Sequence, residues 1–424
     1  MCAQRMSTDA SFASSITPLW TRHIDHMARL HVPAADGDAI AMSRTRHSMY
    51  PIKRKTSPQS QACTAAPPTI ERAAREHRAT CADLRAGRTS ALKGVRPVIG
   101  ITSSPELYGQ HRRDGIRSTW LRYPAIGSSA VACFVVGRQG LKPRQLKRLE
   151  QENAQHDDII WLKDVLDGKG PFVTISKLHS WFRLVTQKLG LLPRRAARTA
   201  TRDHGNTIDP VEVALEVKHI AKVDDDTFLQ LPELHADLDS LHCHAHLYYG
   251  AFAFAGYNPI TFLKCGFEYS GSGARYRKYG CAKVSAEGGG AAHPPFPFTS
   301  GALMLASTPL IVRIASEPAV SAFVTRSTSS HHTDEDVAMG FWFSRFHLGG
   351  IQPPLAYMNV NQRLMNLGCY PRKMFRLYSA PRNRSVGVHF LKSAGAQKYV
   401  WGVLHDGLRH NASRCREMTG DGRL

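Results

Sequence analysis

Three consecutive carboxylates, Asp224, Asp225 and Asp226, stand in "AKVDDDTFLQL" (221–231), between an apolar approach and a second apolar run. Adjacent negative charges repel, so the arrangement costs free energy unless water, a cation or a positive partner offsets it. The triplet is either a solvated acidic loop or a metal centre. At the end of a strand, neighbouring residues point to opposite faces, so Asp224 and Asp226 share one direction. Two oxygens on one side suit a hard cation such as Mn²⁺ or Mg²⁺, which keeps positions open for phosphate oxygens. Burial on both flanks is more than a solvated acid run needs.

A second group of acids lies in "HTDEDVAMG" (332–340). Thr333 and Asp336 have capping-box spacing, which is one explanation of the carboxylates. Asp334, Glu335 and Asp336 outnumber what a cap requires, and a carboxylate held at a helix start can also act as general base on an alcohol. In "RRDGIRSTW" (112–120), Arg113, Arg117 and Trp120 offer cations and a ring for a base or a pyrophosphate. The other reading is an amphipathic helix with Ile116 and Trp120 buried and the arginines solvated. His389, in "VGVHFLKS", is either a hydrogen-bonded core residue or a ligand.

The elements around these residues alternate. "AVACFVVG" (130–137) and "DDIIWL" (157–162) have the short, apolar, β-branched texture of buried strands, and "KPRQLKRLEQENAQH" between them that of a surface helix. In "TISKLHSWFRLVTQKLG" (174–190), Ile175, Leu178, Trp181 or Phe182, Val185 and Leu189 fall at helical spacing, with Gly190 as a stop. "VKHIAKV" (217–223) is a further strand, and the acidic triplet lies at its carboxyl end. This alternation predicts an α/β fold with a central, mostly parallel sheet flanked by helices. In such sheets ligands bind beyond the carboxyl ends of strands, which is where the triplet falls. "HLYYGAFAFAG" predicts a strand, "FTSGALMLASTPLIVRIAS" a strand turning into a helix, and "SHHTDEDVAMGFWFSRF" another helix. Residues 191–210 and 271–295 have loop composition, and no internal repeat is present.

The chain of 424 residues carries a formal net charge of +21, from Lys+Arg 55 and Asp+Glu 34. The excess sits at the ends: residues 1–96 hold 15 Lys and Arg against 7 Asp and Glu, and residues 371–424 hold 11 against 3. Basic ends around a nearly balanced body fit poorly with a dedicated nucleic-acid groove, and no specific nucleic-acid partner is expected. The composition predicts a basic, largely disordered region over 1–94, an enzyme-sized domain over 95–395 and a basic tail over 396–424. The nine cysteines show no CxxC, which argues against a structural zinc site. Cys265 and Cys281 bracket the Gly-rich loop as either a disulfide or free thiols. Asn383-Arg384-Ser385 and Asn411-Ala412-Ser413 are glycosylation sequons usable in a secretory lumen. No apolar run of transmembrane length and no signal-peptide segment is visible.

Taken in order, the motifs over 112 to about 392 resemble the β-1,3-galactosyltransferase family of GT-A glycosyltransferases, and are similar to the phosphoglycan β-1,3-galactosyltransferases of protozoan parasites. The matching segments are "RRDGIRSTW", "HDDIIWLKDVLDG", Lys177, "KVDDDTF", "YYGAF", "PPFPFTSGALML", "DEDVAMG" and "VHFLK". Thr299 stands where that family carries a cysteine, the 191–210 insertion is long, and the family's N-terminal anchor has no counterpart. The resemblance implies a GT-A, Rossmann-like domain that transfers galactose from UDP-galactose, with inversion, to an acceptor sugar hydroxyl in β-1,3 linkage. It implies Mn²⁺ or Mg²⁺ on Asp224, Asp226 and His389, and nucleotide contacts from Arg113, Arg117, Lys177, Asp224 and Asp225. Asp336 would be the base, with Glu335 as its alternative, and Gly301 would leave room for close approach of substrate. The partners implied are a UDP-sugar and a phosphoglycan or glycoprotein glycan, in a lumenal, membrane-associated Golgi setting. UDP-GlcNAc as donor, and a non-enzymatic polyanion binder using the basic ends, are the competing expectations.

Overall fold

A computed structural model describes residues 78–167, 171–192, 217–257, 264–265, 293–328, 335–345, 355–369, 378–379 and 381–419. All of them belong to one of the chain's two compact units, Thr56–Leu424. The strands in chain order are β1 (Pro97–Thr102), β2 (Val131–Gln139), β3 (Ile159–Leu166), β4 (His219–Asp224), β5 (Phe228–Leu229), β6 (Leu247–Tyr257), β7 (Lys264–Cys265), β8 (His293–Ser307), β9 (Ala356–Asn359), β10 (Leu364–Leu367), β11 (Tyr378–Ser379) and β12 (Gly387–His389). The helices are α1 (Cys81–Ala86), α2 (Leu107–Arg117), α3 (Pro143–His156), α4 (Pro171–Lys188), α5 (Leu231–Ser240), α6 (Thr308–Ser316), α7 (Pro318–Thr328), α8 (Glu335–Arg345), α9 (Ala394–His405) and α10 (Ala412–Thr419).

The main sheet runs β3-β2-β1-β4-β8-β6-β7, with β9 paired to β6. The β3, β2, β1 and β4 half is parallel, and β8, β6 and β7 join it antiparallel. The fold is therefore α/β with a mostly parallel central sheet flanked by helices, compatible with a Rossmann-like arrangement. A second sheet, β11-β10-β12-β5, stands beside the first.

β1, β2 and β4 are buried on both faces over most of their length, and alternate residues feed two cores. Val131, Cys133 and Val135 of β2 pack with Ile175, Leu178, Trp181 and Phe182 of α4, whereas Ala132, Phe134 and Val136 pack with Ile116, Trp120 and Tyr399 on the other side. Gly100 of β1 lies under α4: a Cβ there would stand 2.4 Å from the Trp181 ring, so only glycine lets strand and indole close together. Trp181 also donates from its indole N–H to the Ala221 carbonyl, at 3.1 Å, tying α4 to β4.

The packed body reaches past both boundaries expected from composition, at 95 and 395. Upstream, Leu84 and Leu92 are fully buried, and Cys81 of α1 forms a disulfide with Cys133 of β2. Downstream, Ala396, Tyr399 and Val400 of α9 are buried, and Cys415 of α10 forms a disulfide with Cys369. The stretch "TIERAAREHRATCADLRAGR" also reads as a helix, and α1 lies within it; α1 and α10 are each held in place by a covalent link. The Cys265 and Cys281 pairing lies outside the described residues, because Cys281 does. Among the described residues, no helix is long and apolar enough to cross a membrane.

Candidate metal centre

β4 enters between β1 and β8, at the seam where the parallel half of the sheet meets the antiparallel half. Ile220 of this strand packs toward α4, and by strand alternation Lys222 and Asp224 follow on the same side. The chain then turns through Asp225 and Asp226 and leaves the main sheet as β5. The apolar Phe228 and Leu229 pair antiparallel with Val388 and Gly387 of β12. That pairing is why an apolar run follows the acids, and it carries His389 to them.

Three ligand-type side chains converge as a result. One atom each of Asp224, Asp226 and His389 lies within 4.8 Å of the other two, and this is the one such group among the described residues. His389 Nε2 is 3.1 Å from Asp226 Oδ1 and 3.6 Å from Asp224 Oδ2. Its other nitrogen, Nδ1, is 2.9 Å from the amide oxygen of Asn366 on β10. With Nδ1–H donated to Asn366, Nε2 is the nitrogen presented to the carboxylates, the arrangement that orients metal-ligating imidazoles. Two carboxylates and an imidazole are a donor set for Mn²⁺ or Mg²⁺ with positions left for other oxygens. Gly301 of β8 forms the floor: a Cβ there would stand 3.2 Å from Glu335 Oε1 and Lys222 Nζ and 3.3 Å from Asp224 Oδ2.

Two lysines offset much of the negative charge of Asp224, Asp226 and Glu335. Lys222 is buried and donates to Asp224 Oδ1 (2.6 Å), Glu335 Oε1 (2.9 Å) and the Gly301 carbonyl (3.0 Å). Lys392 pairs with Asp226 Oδ2. Burial raises the Asp226 pKa, but the His389 hydrogen bond and the charges of His389 and Lys392 outweigh it and hold the carboxyl well below the usual range. Asp224 goes the other way: burial, only partly opposed by Lys222, and the charges of Asp226 and Glu335 push it up. Phe390, between His389 and Lys392, has φ 68°, a left-handed conformation uncommon for an aromatic residue. That turn, with the Leu391 N–H donating to the Asp226 carbonyl at 2.8 Å, sets His389 and Lys392 on the same carboxylate.

The remaining expected residues divide into neighbours and supports. Glu335, the first residue of α8, belongs to the cluster through Lys222. Asp336 follows it, half-buried, its Oδ1 accepting from the Val337 N–H at 2.7 Å. Thr333 and Asp334 lie outside the described residues, so the capping box does too. Asp225 faces β1: its oxygens accept from Ser103 Oγ and Arg112 Nη1, each at 2.8 Å. Arg113 is fully buried and paired through two nitrogens with Glu152, at 2.7 and 2.6 Å, while a third donates to Ser103 Oγ at 2.8 Å. Arg117 pairs with Asp114, Glu152 and Asp158. Lys177 donates to Asp167 (2.6 Å) and the Ser103 carbonyl (2.9 Å).

"RRDGIRSTW" thus satisfies neither expectation in full. Ile116 and Trp120 are buried, but Arg113 and Arg117 are engaged in ion pairs instead of solvated. Arg113 braces the loop after β1 through Ser103 and Ser104, Arg117 ties α2 to α3 and to Asp158, and the arginine that reaches the acidic triplet is Arg112. Thr299, at the position where the resembling family has cysteine, is 2.9 Å from the buried Tyr248 hydroxyl through its own Oγ1. Lys222, Lys392, Asn366 and Arg112 were not foreseen. Only Lys222 carried a local signal, its two-residue spacing from Asp224 on one strand face. The chain matches no model of a known protein family, and no curated protein matches it.

Proposed function

We propose that the chain is a metal-dependent, inverting GT-A glycosyltransferase of the β-1,3-galactosyltransferase type, transferring galactose from UDP-galactose to a sugar hydroxyl. The observation that carries this reading is the convergence of Asp224, Asp226 and His389 at the carboxyl end of β4. In α/β sheets that position, beside a change in strand order, is where ligands bind. Asp224, Asp226 and His389 hold the ion, and Gly301 keeps the floor open beneath it. The bound ion supplies charge stabilisation to a diphosphate leaving group.

Asp336 accepts the proton of the acceptor hydroxyl as that oxygen attacks the anomeric carbon. Glu335 is tied to Lys222 at 2.9 Å, which lowers its fitness as a base and leaves that role to Asp336. Arg113 and Lys177 act by bracing the β1 loop, whose Ser103 holds Asp225, at the edge of the nucleotide site, and Arg117 acts by holding α2 to α3. Acceptors are phosphoglycan or glycoprotein glycans, and the setting is the Golgi lumen. The Cys81–Cys133 and Cys369–Cys415 links suit an oxidising compartment of that kind.

The test is Mn²⁺-dependent hydrolysis and transfer with a panel of UDP-sugars. UDP-galactose is expected to be the preferred donor, and UDP-GlcNAc preference moves the chain to a sibling activity. Asp336→Asn is expected to lower turnover by roughly 10²–10⁴-fold, the usual range for loss of a general base. If neither Asp226→Ala nor Asp336→Asn changes turnover, the reading is wrong.

A further inference from the structure

The two lysines of the acidic cluster differ in their freedom to move. Lys222 is fully enclosed, with all three of its N–H donors used, on Asp224, Glu335 and Gly301. Lys392 is 41% exposed, whereas the Asp226 carboxylate that it pairs with is 5% exposed. Its backbone is fixed, since Leu391 N–H donates to the Asp226 carbonyl and Lys392 N–H to the Phe390 carbonyl, at 2.8 and 3.1 Å. The side chain beyond that anchor is a flexible four-carbon stem. Its ammonium also lies 4.7 Å from the centroid of the Phe390 ring, a contact that needs no carboxylate.

Asp226 has two oxygens, one toward His389 Nε2 and one taken by Lys392. A divalent ion shared by Asp224, Asp226 and His389 brings two positive charges beside that ammonium. In a pocket this enclosed the two cations repel strongly. One must yield, and of the two lysines only Lys392 has the exposure to do so, with a contact to Phe390 that outlasts the ion pair.

We propose that Lys392 is an exchangeable counter-cation: it holds Asp226 until a divalent ion takes that carboxylate, then releases the carboxylate while keeping the face of Phe390 and offers its ammonium to a polyphosphate ligand. The proposal rests on the reading of Asp224, Asp226 and His389 as a metal centre. It gives Lys392 opposite effects on two equilibria. The side chain competes with the ion, and it assists the anion that follows. A lysine that merely supported the fold would weaken both when removed.

The experiment measures Mn²⁺ binding by the paramagnetic resonance of free Mn²⁺, and pyrophosphate binding at saturating Mn²⁺ by calorimetry. The proteins are the wild type, Lys392→Met, Lys392→Arg, Asp226→Asn and His389→Gln. Lys392→Met is expected to bind Mn²⁺ about tenfold more tightly and pyrophosphate about tenfold more weakly, the scale of one charge-assisted hydrogen bond. Lys392→Arg, which keeps the charge, should stay near wild type in both. If Asp226→Asn and His389→Gln abolish Mn²⁺ binding while Lys392→Met leaves it unchanged or weaker, the exchange is overturned and the metal centre stands. Tighter Mn²⁺ with unchanged pyrophosphate overturns the exchange as well. If neither wild type nor Lys392→Met binds Mn²⁺, the metal centre itself falls, and the exchange with it.

Discussion

Asp224, Asp225 and Asp226 are chemically identical and differ only in what touches them. Asp225 is held by Ser103 and Arg112, Asp226 by His389 and Lys392, and Asp224 by Lys222. Lys222→Met leaves Asp224 and Glu335 without their buried cation, and is expected to cost roughly 3–5 kcal/mol in urea denaturation. A second prediction concerns two histidines outside the site. Burial, reinforced by Arg183 beside His179 and by Arg96, Lys218 and His235 around His219, lowers their pKa values from 6.5 to about 4 and about 3. Below pH 6.5 the unfolded chain therefore takes up protons that the folded chain refuses, and stability falls until the folded values are reached. The two together should steepen the loss between pH 6 and 4 by roughly 2–3 kcal/mol per pH unit. Urea midpoints across that range test it, and a His179→Gln/His219→Gln variant with an undiminished slope would contradict it. Whereas His389 by itself reads as core residue or ligand alike and is singled out only by the resemblance, the sequence made Asp224 and Asp226 legible because a strand end is a local feature. It could not show Lys392 or Asn366, which meet the site from 166 residues beyond Asp226 and 23 residues before His389 respectively.

At the level of elements, the site is a product of two sheets. β4 presents the carboxylates, and β5, only two residues long, leaves the main sheet to pair with β12 and so delivers the imidazole. The apolar "TFL" is legible as buried, but its partner strand is not, since a two-residue strand has no period to read. Two glycines separate packing from function. Gly100→Ala drives a methyl into the Trp181 ring, and is expected to destabilise the fold by roughly 1–3 kcal/mol without specific loss of ion affinity. Gly301→Ala meets the ends of the Glu335, Lys222 and Asp224 side chains at 3.2–3.3 Å and so presses on the charged cluster itself and not on backbone. Its effect should appear as weaker Mn²⁺ binding measured by calorimetry, and a Gly301→Ala protein that binds Mn²⁺ like wild type would remove that glycine from the site.

For the molecule as a whole, the α/β class was readable from alternating strand and helix patterns, because those elements are buried and periodic. The extent of the body was not, because α1 and α10 are short segments within the basic ends, held by disulfides whose cysteines stand 52 and 46 residues apart in sequence. Breaking either link, by Cys81→Ser or Cys415→Ser, is expected to cost roughly 2–4 kcal/mol, read as a lower melting temperature. The two covalent rings also enclose different things. The ring closed by Cys369 and Cys415 contains β11, β12 and α9, and with them His389 and Lys392, whereas Asp224, at the end of β4, and Asp226, in the turn after it, lie outside the ring. Asp224 is thus anchored by hydrogen bonding in β4, whereas the imidazole, and the Leu391 N–H that holds the Asp226 carbonyl, belong to a loop whose ends are locked by oxidation. A reductant that opens that ring would loosen His389 and the hold on Asp226 while Asp224 stays in place, making ion affinity a reporter of the thiol balance around the protein.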